Sequence, residues 1–411
     1  MRMDELELKW EHMEAGIDAQ PAYLRSESIR SLYGAASDLD LPVPSRIYLV
    51  GCGDSHHAGV ATRFAFERWT GIPTEAMDSL EFSRYAIASA PPDALVVAVS
   101  NSGRVTRTIE AALFARQRGI RSIALTYFPD SPLAKTATNT LAWMYEDVGF
   151  GPGTLSYLAS LVGLYALALR IGSTAGHIQH AELDQHLEAV SACGERVAAT
   201  IAATRPIVQA MAAAIEPSEP LTIIGGGPNH GTALFGMAKF IEAARHNAVG
   251  QELEEWAHEQ YFCTGPGSHT IVVAPVGASV DRAREQLRAV RDVGGTAVAI
   301  CDPQDDATSK LADVILPAMT TTDELLSPIV TAVPLELLAL ACAQRLGRTM
   351  LGFDDLNRRE VNFRQIFAST IPGVASGDGP DVSAGFTPGG TDLPGDAPGA
   401  AGSLADRGRA S

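Results

Sequence analysis

Short apolar runs rich in Val and Ile recur along most of the chain, and most are followed by a longer stretch with helical spacing. Eight of these runs begin at Arg46, Ala94, Ser122, Leu141, Leu221, Thr270, Gly295 and Asp313. The last four runs follow the first four at offsets of 175, 176, 173 and 172 residues. Because this offset is nearly constant, the pattern indicates one structural unit that occurs twice.

Strands that alternate with helices predict parallel sheets with helices on both faces, and therefore an α/β fold class. The predicted organisation is a helical N-terminal arm (1–44), a first α/β half (45–173), a helical connector (174–204), a second half (205–347), a C-terminal extension (348–373) and a disordered tail (374–411). The tail is rich in Gly, Pro, Asp and Ser and has too few apolar residues to form a core. The apolar run at 158–172 is too short to span a bilayer, so we expect a buried helix.

Composition narrows the possible functions. The chain is 46% hydrophobic and 19% charged, with a formal net charge of −17 at pH 7. An acidic protein of this kind lacks the basic face that nucleic-acid binding requires. The five cysteines are far apart and include no C-x-x-C pair, which favours neither a disulfide framework nor a zinc site. We expect a cytoplasmic protein with no metal, no cofactor, and no nucleic-acid or membrane partner.

Small polar residues follow two of the predicted strands, in GCGDS at 51–55 and in SNSG at 100–103. They could simply cap the next helix, which would explain one hydroxyl per turn. Hydroxyls beside the free backbone N–H groups of a helix start also form a phosphate site. The occurrence of several hydroxyls at two turns of one sheet favours the anion site. The matching turns of the second half lack the serine pair, so we expect one phosphate site per chain.

A second chemical signal lies on the apolar helix predicted around residues 231–246. Lys239 and Glu242 share one stripe of this helix, in a chain with only four lysines. The pair could be a surface ion pair worth about 0.2–0.5 kcal/mol. The apolar surroundings instead favour a functional pair, since a carboxylate in such a site can remove a proton next to a carbonyl or imine.

Taken together, GCGDSHHAG followed by SNSG on the next strand resembles the SIS (sugar isomerase) domain family. Further matches occur in order: M-E-x-x-I-x-x-Q-P from Met13 to Pro21, SLEFSRY at 79–85 and TAVPLELLAL at 331–340. The likeness covers roughly residues 12–347 and is strongest to the isomerase half of glucosamine-6-phosphate synthase. It implies two tandem SIS domains, each a flavodoxin-like parallel sheet between helices.

The resemblance also implies residue roles. In the family, the matching glutamate (Glu242) moves a proton between C1 and C2 of the sugar, and Lys239 belongs to the same motif. The matching histidine (His258) helps to open the sugar ring, often from a neighbouring subunit, so a homodimer or higher homo-oligomer is expected. The residues implied to hold the phosphate of a sugar phosphate are Ser55, Ser100, Asn101, Ser102 and Thr154.

Several positions depart from the family pattern. Arg104 and Arg107 follow the serine turn, where they are either solvated or in direct contact with the phosphate, and GPGT at 151–154 replaces V-A-S-T. The synthase forms an imine with a lysine near its C-terminus, but no lysine follows Lys310 here. Arg358 or Arg364 occupies that region, and arginine stays protonated and does not form the imine. The sequence also shows no N-terminal glutaminase domain, so we do not expect glutamine-dependent synthesis.

The glutamate–histidine pair without that lysine resembles the fructosamine-6-phosphate deglycase branch of the family. Its members split phosphorylated Amadori adducts into a sugar phosphate and an amine through proton transfer at C1 and C2. A plain aldose–ketose phosphosugar isomerase needs the same two residues. The third alternative is a phosphosugar-binding protein without turnover.

Overall fold

The computed structural model describes residues 8–320 and 323–373. The predicted disordered tail (374–411) therefore lies outside the described residues. Within them, two five-stranded parallel sheets are flanked by helices, which confirms the predicted tandem α/β architecture.

The strands of the two sheets follow the same order along the chain. The first sheet has the order β2-β1-β3-β4-β5, and the second reads β7-β6-β8-β9-β10. This is the flavodoxin-like arrangement, in which the strand order switches beside the first strand. The strands are β1 (Ile47–Gly51), β2 (Thr74–Asp78), β3 (Leu95–Val99), β4 (Arg121–Thr126), β5 (Asn139–Ala142), β6 (Leu221–Gly225), β7 (Ala248–Glu252), β8 (His269–Val273), β9 (Thr296–Cys301) and β10 (Val314–Pro317).

The apolar pattern missed two strands, β2 and β7. Both are edge strands, each paired on one side only. Their sequences, TEAMD and AVGQE, are partly exposed and contain no continuous apolar run. An edge strand needs fewer buried side chains than a central one, so its hydrophobic signal can be weak. β5 and β10 are also edge strands, but the runs that begin at Leu141 and Asp313 overlap them.

Helices cover both faces of each sheet. Two of them lie within the predicted N-terminal arm, and α8 extends across the predicted boundary at residues 204 and 205. The helices are α1 (Trp10–Arg25), α2 (Ser28–Ser37), α3 (Asp54–Thr70), α4 (Ser79–Arg84), α5 (Thr106–Gln117), α6 (Pro132–Thr136), α7 (Leu155–Thr174), α8 (His180–Ala214), α9 (Pro228–Ala244), α10 (Glu255–His258), α11 (Val280–Asp292), α12 (Asp306–Ser309), α13 (Ser327–Leu346) and α14 (Leu356–Phe367).

Helices α3, α7, α9 and α13 lie between the two sheets and share one apolar core with them. Helix α7 contains the apolar run at 158–172 and is buried as predicted, but it is longer than that run. By length and composition alone, three helical segments of the described chain could cross a membrane: α7, α8 and residues 324–346. In the protein, 89% of the α7 window and 94% of the 324–346 window are buried. Burial in the core between the two sheets therefore explains why α7 and residues 324–346 are apolar.

A close crossing of α3 and α9 links the two halves. A Cβ atom on Gly231 of α9 would lie 2.5 Å from the backbone nitrogen of Ala61 on α3. Only glycine allows this approach. The crossing brings the start of α3, in the first half, within reach of a side chain from the second half.

Candidate functional site

The two hydroxyl-bearing turns of the first half lie side by side. Strand β1 pairs with β3, and Ser55 follows β1 while Ser100 and Ser102 follow β3. This is the point at which the strand order switches, where ligands bind in open α/β sheets. Helices α3 and α5 also begin here, so backbone N–H groups from two helix starts border the same crevice.

Two hydroxyl groups in this crevice are buried without a hydrogen-bond partner among the described residues. Ser100 is 2% exposed and Thr106, the first residue of α5, is 2% exposed. The Oγ of Ser100 and the Oγ1 of Thr106 both lack a partner. A buried hydroxyl without a partner is costly, and an anion in the crevice would supply the missing acceptor. Thr106 belongs to the hydroxyl-rich stretch that follows β3 in the sequence, but no phosphate contact was predicted for it.

The neighbouring Asn101 and Ser102 already make contacts within the protein. The Oδ1 of Asn101 accepts hydrogen bonds from the Nε1 of Trp143 at 3.2 Å and from the Tyr145 hydroxyl at 3.0 Å. The Oγ of Ser102 accepts a hydrogen bond from the backbone N–H of Arg104 at 3.3 Å. These contacts fix the shape of the turn. The partners of Asn101 lie 42 and 44 positions away in the sequence, so its contacts could not be predicted from a local pattern.

The loop at 151–154 packs between the helical arm and the start of α3. Thr154 precedes α7 and is 4% exposed, and a Cβ atom on Gly16 of α1 would lie 2.3 Å from its Oγ1. A Cβ atom on Gly153 would lie 2.8 Å from the Oδ2 of Asp54. The structure therefore places this altered loop directly against Asp54, with Thr154 facing the arm.

Arg107 is held by contacts that neither sequence alternative included. Its guanidinium pairs with the buried Glu110, which also pairs with Arg84. It also donates hydrogen bonds to the Oγ of Ser369 at 3.0 Å and to the backbone carbonyl of Thr370 at 2.6 Å. Arg107 thus ties the C-terminal extension to the start of α5, close to the serine turn.

A buried lysine joins the two halves at the crevice. The Nζ of Lys239 lies 2.5 Å from the Oε2 of Glu242 and 2.7 Å from the Oδ2 of Asp54. Lys239 is fully buried, and the Glu242 and Asp54 side chains are 31% and 24% exposed. The sequence paired Lys239 with Glu242, but it did not identify Asp54, which is 185 positions away. We call these three residues the ion triad.

The charges of the ion triad affect one another. Burial raises the pKa of Asp54 to about 7, Lys239 opposes this rise, and Glu242 adds to it. Burial alone would lower the pKa of Lys239, but the two carboxylates outweigh it and raise the pKa above its ordinary value. Lys239 therefore stays charged, while Asp54 can gain or lose a proton near neutral pH.

Two motifs quoted from the sequence meet behind the ion triad. The Nε2 of Gln20, in α1, donates a hydrogen bond to the Oε2 of Glu336, in α13, at 2.7 Å. Both side chains are buried, at 2% and 1% exposure. Burial raises the pKa of Glu336 to about 8, against the lowering effect of the Gln20 hydrogen bond. Glu336 is therefore mostly protonated at pH 7.

This protonation makes stability depend on pH. In the unfolded chain Glu336 releases its proton near pH 4.5, whereas in the folded protein it keeps the proton to about pH 8. Between those values folding takes up a proton, so the free energy of unfolding falls by about 1.4 kcal/mol per pH unit from this group. A Glu336→Gln variant should lose this component in urea denaturation between pH 5 and 8. The exposed Glu360→Gln is the control, and a Glu336→Gln curve parallel to wild type would contradict the assignment.

His258 lies at the protein surface. It ends the short helix α10, its side chain is 66% exposed, and its Nε2 is 3.4 Å from Glu254, the residue that precedes this helix. Among the described residues, no ion pair or hydrogen bond joins His258 to the ion triad. Arg358 and Arg364 are likewise exposed on α14, and Arg364 lies 3.7 Å from Glu360.

In the second half, a carboxylate occupies the turn that matches the serine turn. Gly277 follows the start of β8 by eight residues, as Gly103 follows the start of β3. The backbone N–H of Ala278 donates a hydrogen bond to the Oε2 of Glu324 at 2.9 Å, and a Cβ atom on Gly277 would lie 2.1 Å from the Cδ of Glu324. The protein's own carboxylate fills this turn, which supports a phosphate site in the first half only.

Among residues 8–320 and 323–373, no group of three or more His, Cys, Asp or Glu side chains is arranged to hold a metal ion. The polar groups that border the crevice are hydroxyls, backbone N–H groups and the ion triad.

Known proteins share both the sequence pattern and the fold. The family model for the SIS domain matches residues 41–170, which contain all strands of the first sheet. The chain is similar to the isomerizing glutamine–fructose-6-phosphate aminotransferase of Mycobacterium bovis, with 28% identity over 320 residues that cover 76% of this chain and 50% of the relative. The chain thus spans about half the length of the curated relatives it matches.

Two solved structures illustrate the shared fold. The C-terminal domain of glucosamine-fructose-6-phosphate aminotransferase from Francisella tularensis has a TM-score of 0.73 at 18% identity, covering 85% of this chain and 99% of that chain. The tagatose-6-phosphate ketose/aldose isomerase from Escherichia coli has a TM-score of 0.67 at 16% identity, covering 83% and 95%. At these identities the likeness concerns the arrangement of helices and strands.

Proposed function

Since residues 41–170 match the SIS domain family, we propose that the chain is an enzyme that shifts a proton between C1 and C2 of a phosphorylated sugar or its amine adduct. The proposed reaction is deglycase-like: the proton shift from C1 to C2 converts the amine at C1 into an imine, and water hydrolyses the C=N bond to give the sugar phosphate and an amine. The observation that carries the proposal is the position of the ion triad. Asp54 directly precedes Ser55 of the phosphate turn and contacts Lys239, which contacts Glu242.

The geometry supports a division of roles. Ser55, Ser100 and Ser102 would hold the phosphate, with Ser100 supplying a buried hydroxyl that has no partner within the described protein. Glu242 would act as the base, since carboxylates remove protons next to carbonyl or imine groups. Lys239 contacts the Oε2 of Glu242, so we assign the proton transfer to Oε1.

The names of similar proteins support proton transfer between adjacent carbons. The Mycobacterium bovis relative is an isomerizing aminotransferase, and the Escherichia coli structure is a ketose/aldose isomerase. Interconversion of a ketose and an aldose moves a proton between C1 and C2. The second candidate function is therefore plain aldose–ketose isomerisation of a sugar phosphate.

The position of His258 supports an oligomeric working unit. Its side chain is 66% exposed. The nearby Tyr261 and Phe262 are 36% and 77% exposed. We propose that this surface faces a second copy of the chain, so that His258 assists ring opening in the neighbouring site. An active monomer in sedimentation at assay concentration would contradict this part of the proposal.

Incubation with 6-phosphorylated ketoses, aldoses and amine adducts in deuterium oxide tests the function. Incorporation of deuterium at C1 or C2 would support an enzyme of this class, and its absence from every compound would contradict it. Release of an amine from the adducts would favour the deglycase reaction. Exchange or isomerisation without amine release would favour the plain isomerase.

Loss of the serine hydroxyls should weaken binding of the phosphate. Each hydrogen bond to a charged group is worth about 1.5–3 kcal/mol. The double variant Ser100→Ala with Ser102→Ala should therefore raise the KM for a phosphorylated substrate by about tenfold or more. Ser279→Ala, in the corresponding turn of the second half, is the matched control and should leave the KM unchanged. Equal KM values for the double variant and wild type would exclude this phosphate site.

A further inference from the structure

Above the pKa of Asp54, which is about 7, the ion triad carries one more negative charge than positive charge. It contains two carboxylates and a single ammonium group. The nearest titratable neighbours do not offset this imbalance: burial lowers the pKa of His57 to about 3, and Glu336 is mostly protonated at pH 7. The site is therefore suited to a ligand group that brings a positive charge.

One buried oxygen of the ion triad lacks a hydrogen-bond donor among the described residues. The Oδ2 of Asp54 accepts a hydrogen bond from Lys239, but the buried Oδ1 has no hydrogen-bond partner among the described residues. The closest charged or titratable atom recorded for Oδ1 is the Nδ1 of His57 at 3.9 Å, which is also without a partner. A buried carboxylate oxygen without a donor is costly, so a donor is expected to arrive with the ligand.

A second buried polar group without a partner, the hydroxyl of Tyr157, also supports a ligand site next to Asp54. The hydroxyl of Tyr157 is buried without a partner, and Tyr157 is 1% exposed. Its ring stacks on Phe235 at a centroid distance of 3.7 Å, and the Nζ of Lys239 lies 4.9 Å from the Phe235 ring centroid. The loop at 151–154 lies against Asp54 through Gly153. Asp54 therefore lies between the phosphate turn, this loop and the proposed base.

From this arrangement we infer that Asp54 is a specificity-determining residue, which selects phosphorylated sugars that carry a protonated amine at C1 over uncharged sugars with the same phosphate. This inference rests on the proposed function, because it places the sugar between the serine turn and Glu242. A protonated amine supplies both the missing donor and the missing charge. A neutral hydroxyl or ether supplies at most the donor.

Binding of two unreactive ligands tests the inference without turnover. The first is the reduced adduct of glucose 6-phosphate with propylamine, which has no carbonyl group and a protonated secondary amine at C1. The second is the matching propyl ether, which has the same length and no charge. A charge-assisted hydrogen bond is worth about 1.5–3 kcal/mol, so wild type should bind the amine about 10- to 150-fold more tightly.

The variant Asp54→Asn keeps the shape of the side chain and removes its charge. It should abolish the preference for the amine while leaving the affinity for the ether within about threefold of wild type. Equal binding of both ligands by wild type would overturn the inference even if the variant failed to fold. Equal loss of affinity for both ligands in Asp54→Asn would also overturn it, since Asp54 would then only support the site. The proposed function fails on a separate result, the absence of C1 or C2 exchange in all phosphosugars.

Discussion

A Lys239→Met variant is expected to lose about 3 kcal/mol of unfolding free energy at pH 8. Lys239 is fully buried, and its ammonium group is the shared partner of Asp54 and Glu242. Methionine fills a similar volume, so the loss comes from two neighbouring carboxylates left without their cation. The value lies at the lower end of the range for buried pairs because both carboxylates are partly exposed.

The pH dependence of this loss identifies its origin. Asp54 has a pKa of about 7 with Lys239 present, and removal of the lysine takes away a lowering effect. At pH 6 the variant can protonate Asp54 and relieve the repulsion, so the loss in urea denaturation should be smaller than at pH 8. Lys310→Met is the matched control, since Lys310 is 74% exposed and should contribute within about 0.5 kcal/mol. Equal stability of the two variants would show that the ion triad does not stabilise the fold.

The internal repeat could be predicted from the sequence because buried central strands consist of continuous apolar residues. Six of the eight strands that an apolar run marks are central, and the nearly constant offset between the halves follows from these runs. The edge strands β2 and β7 were missed because partial exposure permits polar residues such as Glu75 and Glu252. The predicted boundary after residue 204 falls within α8, because α8 continues without interruption to Ala214.

The contacts of the candidate site could be predicted only where they are local. Lys239 and Glu242 are three positions apart on one helix, and that spacing is visible in the sequence. Asp54 is 185 positions from Lys239, and Gln20 is 316 positions from Glu336. Such pairs are made by the packing of α1, α3, α9 and α13, which no local pattern specifies.

The contacts of Arg107 differ from both alternatives that the sequence offered. The sequence offered a solvated arginine or a direct phosphate contact. The buried Glu110, which comes three residues later, was the available signal. The contacts to Ser369 and Thr370 depend on a segment 262 and 263 positions away. Tertiary packing therefore determines where this guanidinium lies.

A Glu242→Gln variant is expected to lower kcat by about 10²- to 10⁴-fold, which is the usual contribution of general acid–base catalysis. Glutamine has the shape of glutamate and can still accept a hydrogen bond from Lys239, so folding should change little. It cannot take up the proton that moves between C1 and C2. The KM should change less than kcat, because the serine turn that holds the phosphate is left intact.

Solvent exchange separates the loss of the base from a general disturbance of the site. Wild type should place deuterium at C1 or C2 of its substrate in deuterium oxide, and Glu242→Gln should do so at least about 100-fold more slowly. Glu285→Gln is the matched control, since the Glu285 side chain is 58% exposed on α11 and pairs with Arg282. If Glu242→Gln exchanges the proton at the wild-type rate, the base is another group. Asp54 would then be the first alternative, because its Oδ2 contacts the same ammonium group and its pKa of about 7 allows proton transfer near neutral pH.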